Sequence, residues 1–588
     1  MRWLLGLVLA STVSCSAKEE PGTPCAVERL APDGRCLPEF CAGDAVRLDG
    51  VCRSVGVDTC AVGFDRAEGG CSPQLPACPP SAYAFPGEPC QPLDACGATR
   101  FAGSGADALY VDTSATGGDG TEAKPFATIA EALTALEATG KKKIYVAKGR
   151  YVERMVLDRE VELRGVCSGQ TEVVAPAGDL AETTIHVAAT ATVAGLTVTG
   201  AGHAVGIATQ GSATLTVKGV IVRGHDTGID VPRIASPKVP TLTLDGLRVE
   251  DARIGVSSYV AVDARRVSIA HVDTGLTVLG GGGFEALVVE DAASEGVLVL
   301  SGTTSIARSV VRDVGKRSGV AGYGVVVDKL PTLPAPFAKV SDTLVADVTG
   351  VGVGAANGAV ELDRCTVRDV APSDTNLGAG LALYAEGKLT ARRTTVLHTP
   401  MMGVYATGGE LTLEDVLLRD VATGKVSFGG IVARAGTTTG AVELRGVFVD
   451  DARLAGLMVA GRAAKATGLR VRHVSPAAEG TYGDAASVGV LPGLPALLEL
   501  SEVEVTDTSR AGVSVFGAEL RVRGARICAG FPFEVSDDSF SSDGPTTVKS
   551  EPTLKDDGSN VCGCGPLVAC LAARSRLAPL LVPPPSKP

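Results

Sequence analysis

A glycine followed by an aliphatic residue, in most cases with another aliphatic or an alanine two places on, recurs through the middle of this chain. The phrase opens at Gly206-Ile207, Gly228-Ile229, Gly255-Val256 and Gly275-Leu276. It runs on through Gly296-Val297, Gly324-Val325, Gly352-Val353, Gly380-Leu381, Gly403-Val404 and Gly430-Ile431, and ends at Gly456-Leu457, Gly489-Val490 and Gly512-Val513. The mean period is about 25 residues. Between the phrases lies a second alternating block, as in Ala213-Thr214-Leu215-Thr216-Val217-Lys218-Gly219-Val220-Ile221-Val222. Alternation with period two means strands with one buried face. Helical repeats of this length need apolar residues at i, i+3, i+4 and i+7, and these blocks do not show them. Short strands repeating at this period fit a β-solenoid, with loops absorbing the variation in length. Roughly 14 or 15 coils, about 4.8 Å apart, give a rod about 70 Å long.

Composition agrees with many thin, similar layers. Hydrophobic residues are 45% of the 588, aromatics are only 4%, and there are 73 glycines. A core with so few rings is filled by Val, Leu, Ile and Ala. The net charge of −12 repels phosphate backbones, so nucleic acid is not an expected partner.

The repeat resembles the right-handed parallel β-helix (pectin-lyase-like) superfamily. A second stretch resembles the opening of many secreted bacterial β-helix proteins. It comprises Tyr110-Val111-Asp112-Thr113-Ser114, Gly117-Gly118-Asp119-Gly120-Thr121, Lys124-Pro125-Phe126-Ala127-Thr128-Ile129 and Ile144-Tyr145-Val146. The resemblance implies an all-β, single-stranded solenoid whose open N-terminal end is capped by a short helix. Residues 126–139 suit that cap, with Ile129, Leu133 and Leu136 on one face.

The chain begins Met1-Arg2-Trp3-Leu4-Leu5-Gly6-Leu7, a cation and a short apolar run typical of a secretory signal. It continues to Ser11-Thr12-Val13-Ser14-Cys15, which resembles the lipobox of bacterial lipoproteins, with Thr12 where that family has Leu. The resemblance implies lipidation at Cys15, and Ser16 after it implies the outer membrane. Expected boundaries are a signal at 1–15, a tether at 16–24 and Cys-rich repeats at 25–96. The N-terminal cap and first coils follow at 97–170, the β-helix at 171–528, and a C-terminal cap and tail at 529–588.

Eight cysteines fall in evenly spaced pairs, Cys25 and Cys36, Cys41 and Cys52, Cys60 and Cys71, Cys78 and Cys90. Disulfides imply an oxidising compartment. Spacing does not decide between pairing within and between modules, and CxxC zinc pairs are absent from this segment. The modules are expected to act as a spacer between membrane and solenoid. Cys96 and Cys167 are candidates to pin the N-terminal cap, and Cys528, Cys562, Cys564 and Cys570 to tie a C-terminal one. Cys365 falls in an inward column and is expected to be a free, buried thiol.

Related β-helix enzymes carry charged groups on the outside of one strand stack, on the same or adjacent coils. Reading two and four places past each repeat glycine gives Asp230, Asp328 and Arg434, about 19 Å apart in turn. That is too far for one catalytic step, and the column is otherwise small and apolar, as if something covered it. Tyr384 and Tyr405 fall on neighbouring coils and could stack on a sugar. A second column, Asp251, His271, Asp291, Asp313, Asp347, Asp369, Asp420, Asp451, His473 and Asp507, reads as a ladder of turn residues whose carboxylates accept backbone N–H groups. Calcium is the alternative there and at Asp112, Asp119 and Glu122; otherwise no cofactor or metal is expected. His225-Asp226 lacks the partners that acid–base chemistry requires. The leading expectation is a lipid-anchored surface rod with a structural, adhesive or ligand-binding role. A lyase, hydrolase or epimerase acting on uronate polymers, and a non-catalytic carbohydrate binder, are the alternatives. The expected partners are the membrane and an extracellular polysaccharide or another envelope protein.

Overall fold

The computed structural model describes residues 25–79, 82–178, 182–233, 240–317, 321–374, 378–438, 440–477, 480–541, 548–575 and 581–583. Cys15, the signal segment and the tether lie outside the described residues, as do 576–580 and 584–588 of the tail.

Each coil contributes three short strands, and each strand pairs in parallel with its counterpart one coil on. Leu242, Val262, Gly282 and Thr304 stack on the first-strand face. Val249, Ile269, Val289 and Val311 stack on the second, and Ile229, Val256, Leu276 and Val297 on the third. Among the described residues the result is one continuous sheet of 38 strands, a parallel β-helix wound in the right-handed sense that parallel crossovers favour. Inward residues form one uninterrupted aliphatic core from Leu109 to Cys562.

Two single-residue corners bend every coil. The first is left-handed at Gly219, Gly246, Arg266 and Ala286; the second is left-handed at Asp251, His271, Asp291 and Asp313. Asp and His tolerate this backbone better than most residues, which explains why they recur at the second corner. The register also corrects one repeat unit. Ala485, not Gly489, is the counterpart of Gly456 and Gly512, because Leu457 pairs with Ala486 and Ala486 with Val513. The outward residue of that coil is therefore Ser487 rather than Leu491.

The N-terminal cap is the helix Ile129–Thr139. Thr128 and Glu131 form a reciprocal capping box, and Gly140 ends the helix in the left-handed conformation. The Glu153 carboxylate accepts from the Ile129 and Ala130 amides, both at 2.9 Å. Ile129, Ala132 and Leu136 are buried on the first coils, with Leu133 partly so.

The cysteine pairs close within their modules, as Cys25–Cys36, Cys41–Cys52, Cys60–Cys71 and Cys78–Cys90. Cys96–Cys167 ties the chain to the first coils, and Cys528–Cys564 with Cys562–Cys570 tie the C-terminal cap. Such bonds persist only in an oxidising environment, so this is an exported chain. Cys365 is free and buried. Burial pushes its thiol up to about 12, and it donates weakly to the Val340 carbonyl at 3.4 Å.

The expected spacer is not what the modules form. Residues 25–79 and 82–95 run the length of the rod as a strap, from the last coil back to the first. They cover one outward column of the second-strand face, in which Val288, Val310, Leu344, Thr366, Thr395, Leu417, Phe448, Arg470, Glu504 and Arg526 succeed one another coil by coil. Phe40 lies under Arg526, with the guanidinium 3.7 Å from the ring centroid. Arg47 pairs with buried Glu504 at 2.9 Å, and the Cys41 amide donates to the same carboxylate. Val46 and Val55 pack on Leu417 and Phe448, and Phe64 on Val310 and Leu344. Phe85 and Leu93 pack on Val288, and Asp94 accepts from the Ser168 amide and hydroxyl at the first coils. A spacer would have left Val288, Val310, Leu344, Leu417 and Phe448 of that column in water, and their burial helps hold the strap down.

Candidate functional site

Where the strap bridges from its third module to its fourth, it stands off the rod and leaves a cleft of about 520 Å³, within the range of ligand sites. One wall is Leu75, Pro76, Cys78, Pro79 and Tyr83 of the strap. The other is the second-strand face, with Arg223, Arg248, Glu250, Ser268, Glu290 and Arg312. The register explains the space. Arg223, Glu250, Ala270, Glu290 and Arg312 are successive outward residues of one column. The small Ala270 separates two carboxylates whose backbones lie two coils, about 9.6 Å, apart.

These groups hold one another in place. Arg248 donates to Glu250 at 3.1 Å and to the Ser268 hydroxyl, and its guanidinium lies 5.1 Å from the centre of the Tyr83 ring. Arg312 donates to Glu290 at 2.7 Å. The Tyr83 backbone is fixed by reciprocal bonds with Gln91 at 2.8 and 3.0 Å. Burial, with a smaller contribution from Glu250, raises the phenol above its ordinary range, so it is a neutral hydroxyl at physiological pH. The cleft thus offers an aromatic ring, prolines, and planar donors and acceptors in fixed orientation. That is an arrangement suited to a hydroxylated ring, apolar on its faces and polar at its rim.

A second polar group lies on the third-strand face near the C-terminal end. Arg510 pairs with both Asp484 and Glu534. The Ser487 hydroxyl donates to Asp484 at 3.1 Å, and the Ser514 hydroxyl donates to it as well. Asp484 and Ser514 are completely buried. Desolvation raises the Asp484 carboxyl above its ordinary range despite Arg510. The glycine-phase reading missed this group because it put Leu491 where Ser487 stands.

The remaining expected sites are placed differently from their sequence reading. Tyr384 and Tyr405 do face outward on neighbouring coils, with ring centroids 6.0 Å apart. They are only 2% and 1% exposed, inside an apolar cluster with Val432, Met458, Phe516, Phe540 and Val582, and present no face to a sugar. Arg434 of the same face is buried beneath the Pro583 carbonyl, to which it donates. The covering expected for this column is therefore supplied by the chain itself. Asp230 is raised by burial, and Asp328 accepts from Asn357 at 3.1 Å.

His225 occupies the inward corner position that Ala252, Val272 and Ala292 fill on later coils, with the Thr184 hydroxyl 3.0 Å from Nε2. It is a core histidine. Its neighbour Asp226 is held outside by both Arg253 nitrogens at 2.9 Å.

The Asp/His column is a ladder of second corners. Its side chains meet other charged groups, across coils and on Arg312 and Arg368 of the same coil, rather than turn amides, which corrects the expected reason for its recurrence. His271 lies between Asp251 and Asp291, and His473 between Asp450 and Asp507. Lys316 bridges Asp313 and Asp347. The sequence reading passed over His398, which stands in the same column between Asp369 and Asp420 at 3.3 and 3.4 Å. In the cap loop, Asp112 accepts from Ser114 and Arg100, and Asp119 from Thr121, as turn-closing carboxylates.

No protein-family model matches the chain, and no curated protein does. Among solved structures it is similar to the mannuronan C-5 epimerase AlgE6 A-module of Azotobacter vinelandii, at 16% identity and a TM-score of 0.31, covering 68% of this chain and 93% of that one. It is also similar to pectate lyase Pel9A, at 10% identity and a TM-score of 0.30, covering 49% and 78%. A rhamnogalacturonan lyase matches at 14% identity and a TM-score of 0.25, covering 58% and 82%. Likenesses of this size leave the function to be read from the chain's own residues.

Proposed function

We propose that this chain is an envelope-anchored rod that binds a saccharide in the cleft between strap and solenoid without transforming it. The observation that carries the reading is the cleft itself, lined by Tyr83, Arg248, Glu250, Glu290 and Arg312, with Arg248 held to Glu250 and Tyr83 and Arg312 held to Glu290. Both carboxylates are engaged by guanidinium groups, which suits them to accept hydroxyl hydrogen bonds. The residues Ser11 to Cys15 support anchoring through an acylated Cys15, and the disulfides support export.

A glycan array followed by calorimetry on the full chain tests the binding. Tyr83→Ala and Glu290→Gln are each expected to weaken the best ligand about tenfold or more, the loss of one aromatic or charged contact. Unchanged affinity in both would discard the cleft. Metabolic labelling with a fatty acid tests the anchor, which fails if Cys15→Ala keeps the label.

A second reading, a polysaccharide lyase, hydrolase or epimerase, is favoured by one observation. Asp484 and Glu534 are carboxylates from different coils that share one guanidinium on the outward face. Screening against pectin, alginate and glycosaminoglycans tests it. Unsaturated-uronate absorbance that disappears in Asp484→Asn would establish it and displace the non-catalytic reading.

A further inference from the structure

The strap begins at the C-terminal end of the rod, and that end carries exposed apolar side chains. Ala31 packs on Val561 and Leu567, which places the first module against the C-terminal hairpin. Around that contact Val27 is 63% exposed, Leu30 43%, Val568 54% and Leu571 76%. Phe531, 48% exposed, belongs to the strand that pairs with Ala572 and its neighbours, beside Leu571. These five come from three separate stretches of chain brought together by the strap and the Cys562–Cys570 loop. Single exposed apolar residues are ordinary, but a group gathered at one end of a rod marks an interaction surface.

The chain outside the structure identifies the occupant. Cys25 is the first described residue, and it stands at this same end. The ten residues from Cys15 to Cys25 reach at most about 36 Å when fully extended, about half the length of the rod. An acyl chain on Cys15 therefore brings the C-terminal end to the bilayer and keeps the helix-capped end away from it.

We propose that this end is a foot that rests on a lipid surface through Leu571, Val568, Val27, Leu30 and Phe531. The proposal rests on the anchored reading and adds an orientation to it. The rod stands with its last coil down and its N-terminal cap outermost. Glu290 lies ten register steps above the coil of Val561, so the saccharide cleft is held about 48 Å from the foot. One acyl chain gives only reversible membrane binding, so a second, apolar contact at the same end makes attachment durable.

The test uses the full chain on phosphatidylethanolamine–phosphatidylglycerol vesicles containing brominated lipid. Leu571→Trp reports on the foot, and Val156→Trp, 53% exposed on an early coil, reports on the opposite end. The acylated parent chain has lost Trp3 with its signal and carries no other tryptophan, so each introduced residue reports alone. Quenching of the tryptophan at 571 by about threefold, with none at 156, is the expected result for apolar residues seated at the acyl boundary. Quenching at neither site, or at 156 instead, overturns the foot. So does a concentration-dependent dimer that Leu571→Glu dissolves, because it would give the patch to a second copy. Acyl label measured in the same preparation separates this outcome from failure of the anchor itself, since unlabelled chain mixed with excess vesicles still reports contact at 571.

Discussion

Phe448 and Tyr405 sit on two outward faces of the same rod, and both are buried, but by different means. Phe448 is covered by Val46 and Val55 of the strap, a segment hundreds of residues away in sequence, with the guanidinium groups of Arg470 and Arg472 from the next coil against its ring. Tyr405 is covered by the solenoid's own side chains and by the C-terminal segment at Phe540 and Val582. The strap is fastened by apolar packing, ion pairs and hydrogen bonds to the rod, its disulfides closing only its own modules, and it leaves a cleft beside its fourth module. The third-strand face is closed by continuous apolar packing with Asp484 and Arg510 locked at its C-terminal end. Ligand access belongs to the face whose cover is a separate piece of chain.

The largest expected effect comes from large side chains buried on the two outward faces. Phe448→Ala should cost about 3–5 kcal/mol and Met458→Ala, on the other face, about 2–4 kcal/mol by chemical denaturation. The comparison sharpens if the first change unprotects only strap residues, while the second lowers the stability of the coils themselves. It breaks if both variants melt as one unit with the same loss of amide protection. Next in size is the clasp at the strap's start. Glu504→Ala should cost about 3 kcal/mol, because it leaves Arg47 and the Cys41 amide with a buried partner removed.

The faces also differ in the sign of their response to acid. Desolvation raises the Asp450 carboxyl, but the hydrogen bond and charge of Arg472, with His473 and Arg419, outweigh it and hold the group below its ordinary range. Its stabilisation is present above the unfolded value and is lost as pH falls through the lower folded one. Asp484 is raised by burial, so the folded state binds its proton more readily than the unfolded chain does. Its contribution favours folding at low pH and declines as pH rises through the window above 3.8. Calorimetric scans from pH 3 to pH 7 should show Asp450→Asn flattening the acid limb and Asp484→Asn removing part of the opposite slope. The smallest effect is at a corner. Ala286 holds a φ of 55°, and Ala286→Gly should gain up to about 1 kcal/mol by relieving it.

The coil was legible because each turn repeats a physical requirement. Inward aliphatic residues such as Val249, Ile269 and Val289 must alternate with outward ones, and the corners at Gly246 and Asp251 need a left-handed backbone. The helix cap was legible in the spacing of Ile129, Leu133 and Leu136. Where a coil lacked its glycine, as at Ala485, phase was lost, and with it the group around Ser487. The strap was not legible from periodicity, because its modules pack sideways on a repeat they do not share. The signal lay in the outward residues Val310, Leu344, Leu417 and Phe448, too apolar for a face in water. The cleft depends on two segments far apart in sequence, so nothing local marks Tyr83 and Glu290 as neighbours.

Native-state hydrogen exchange at Gly56, Val57 and Cys71 tests the docked strap most directly. Their amides donate to the Asp415 carbonyl and to the hydroxyls of Thr395 and Thr366 on the rod, at 2.9, 3.0 and 2.7 Å. Docking predicts protection comparable to the coil strands in the native chain, and its loss in Phe448→Ala with the disulfides intact. Exchange at unprotected rates in the native chain, with the coil strands still protected, would return the modules to a free spacer and remove the cleft with them.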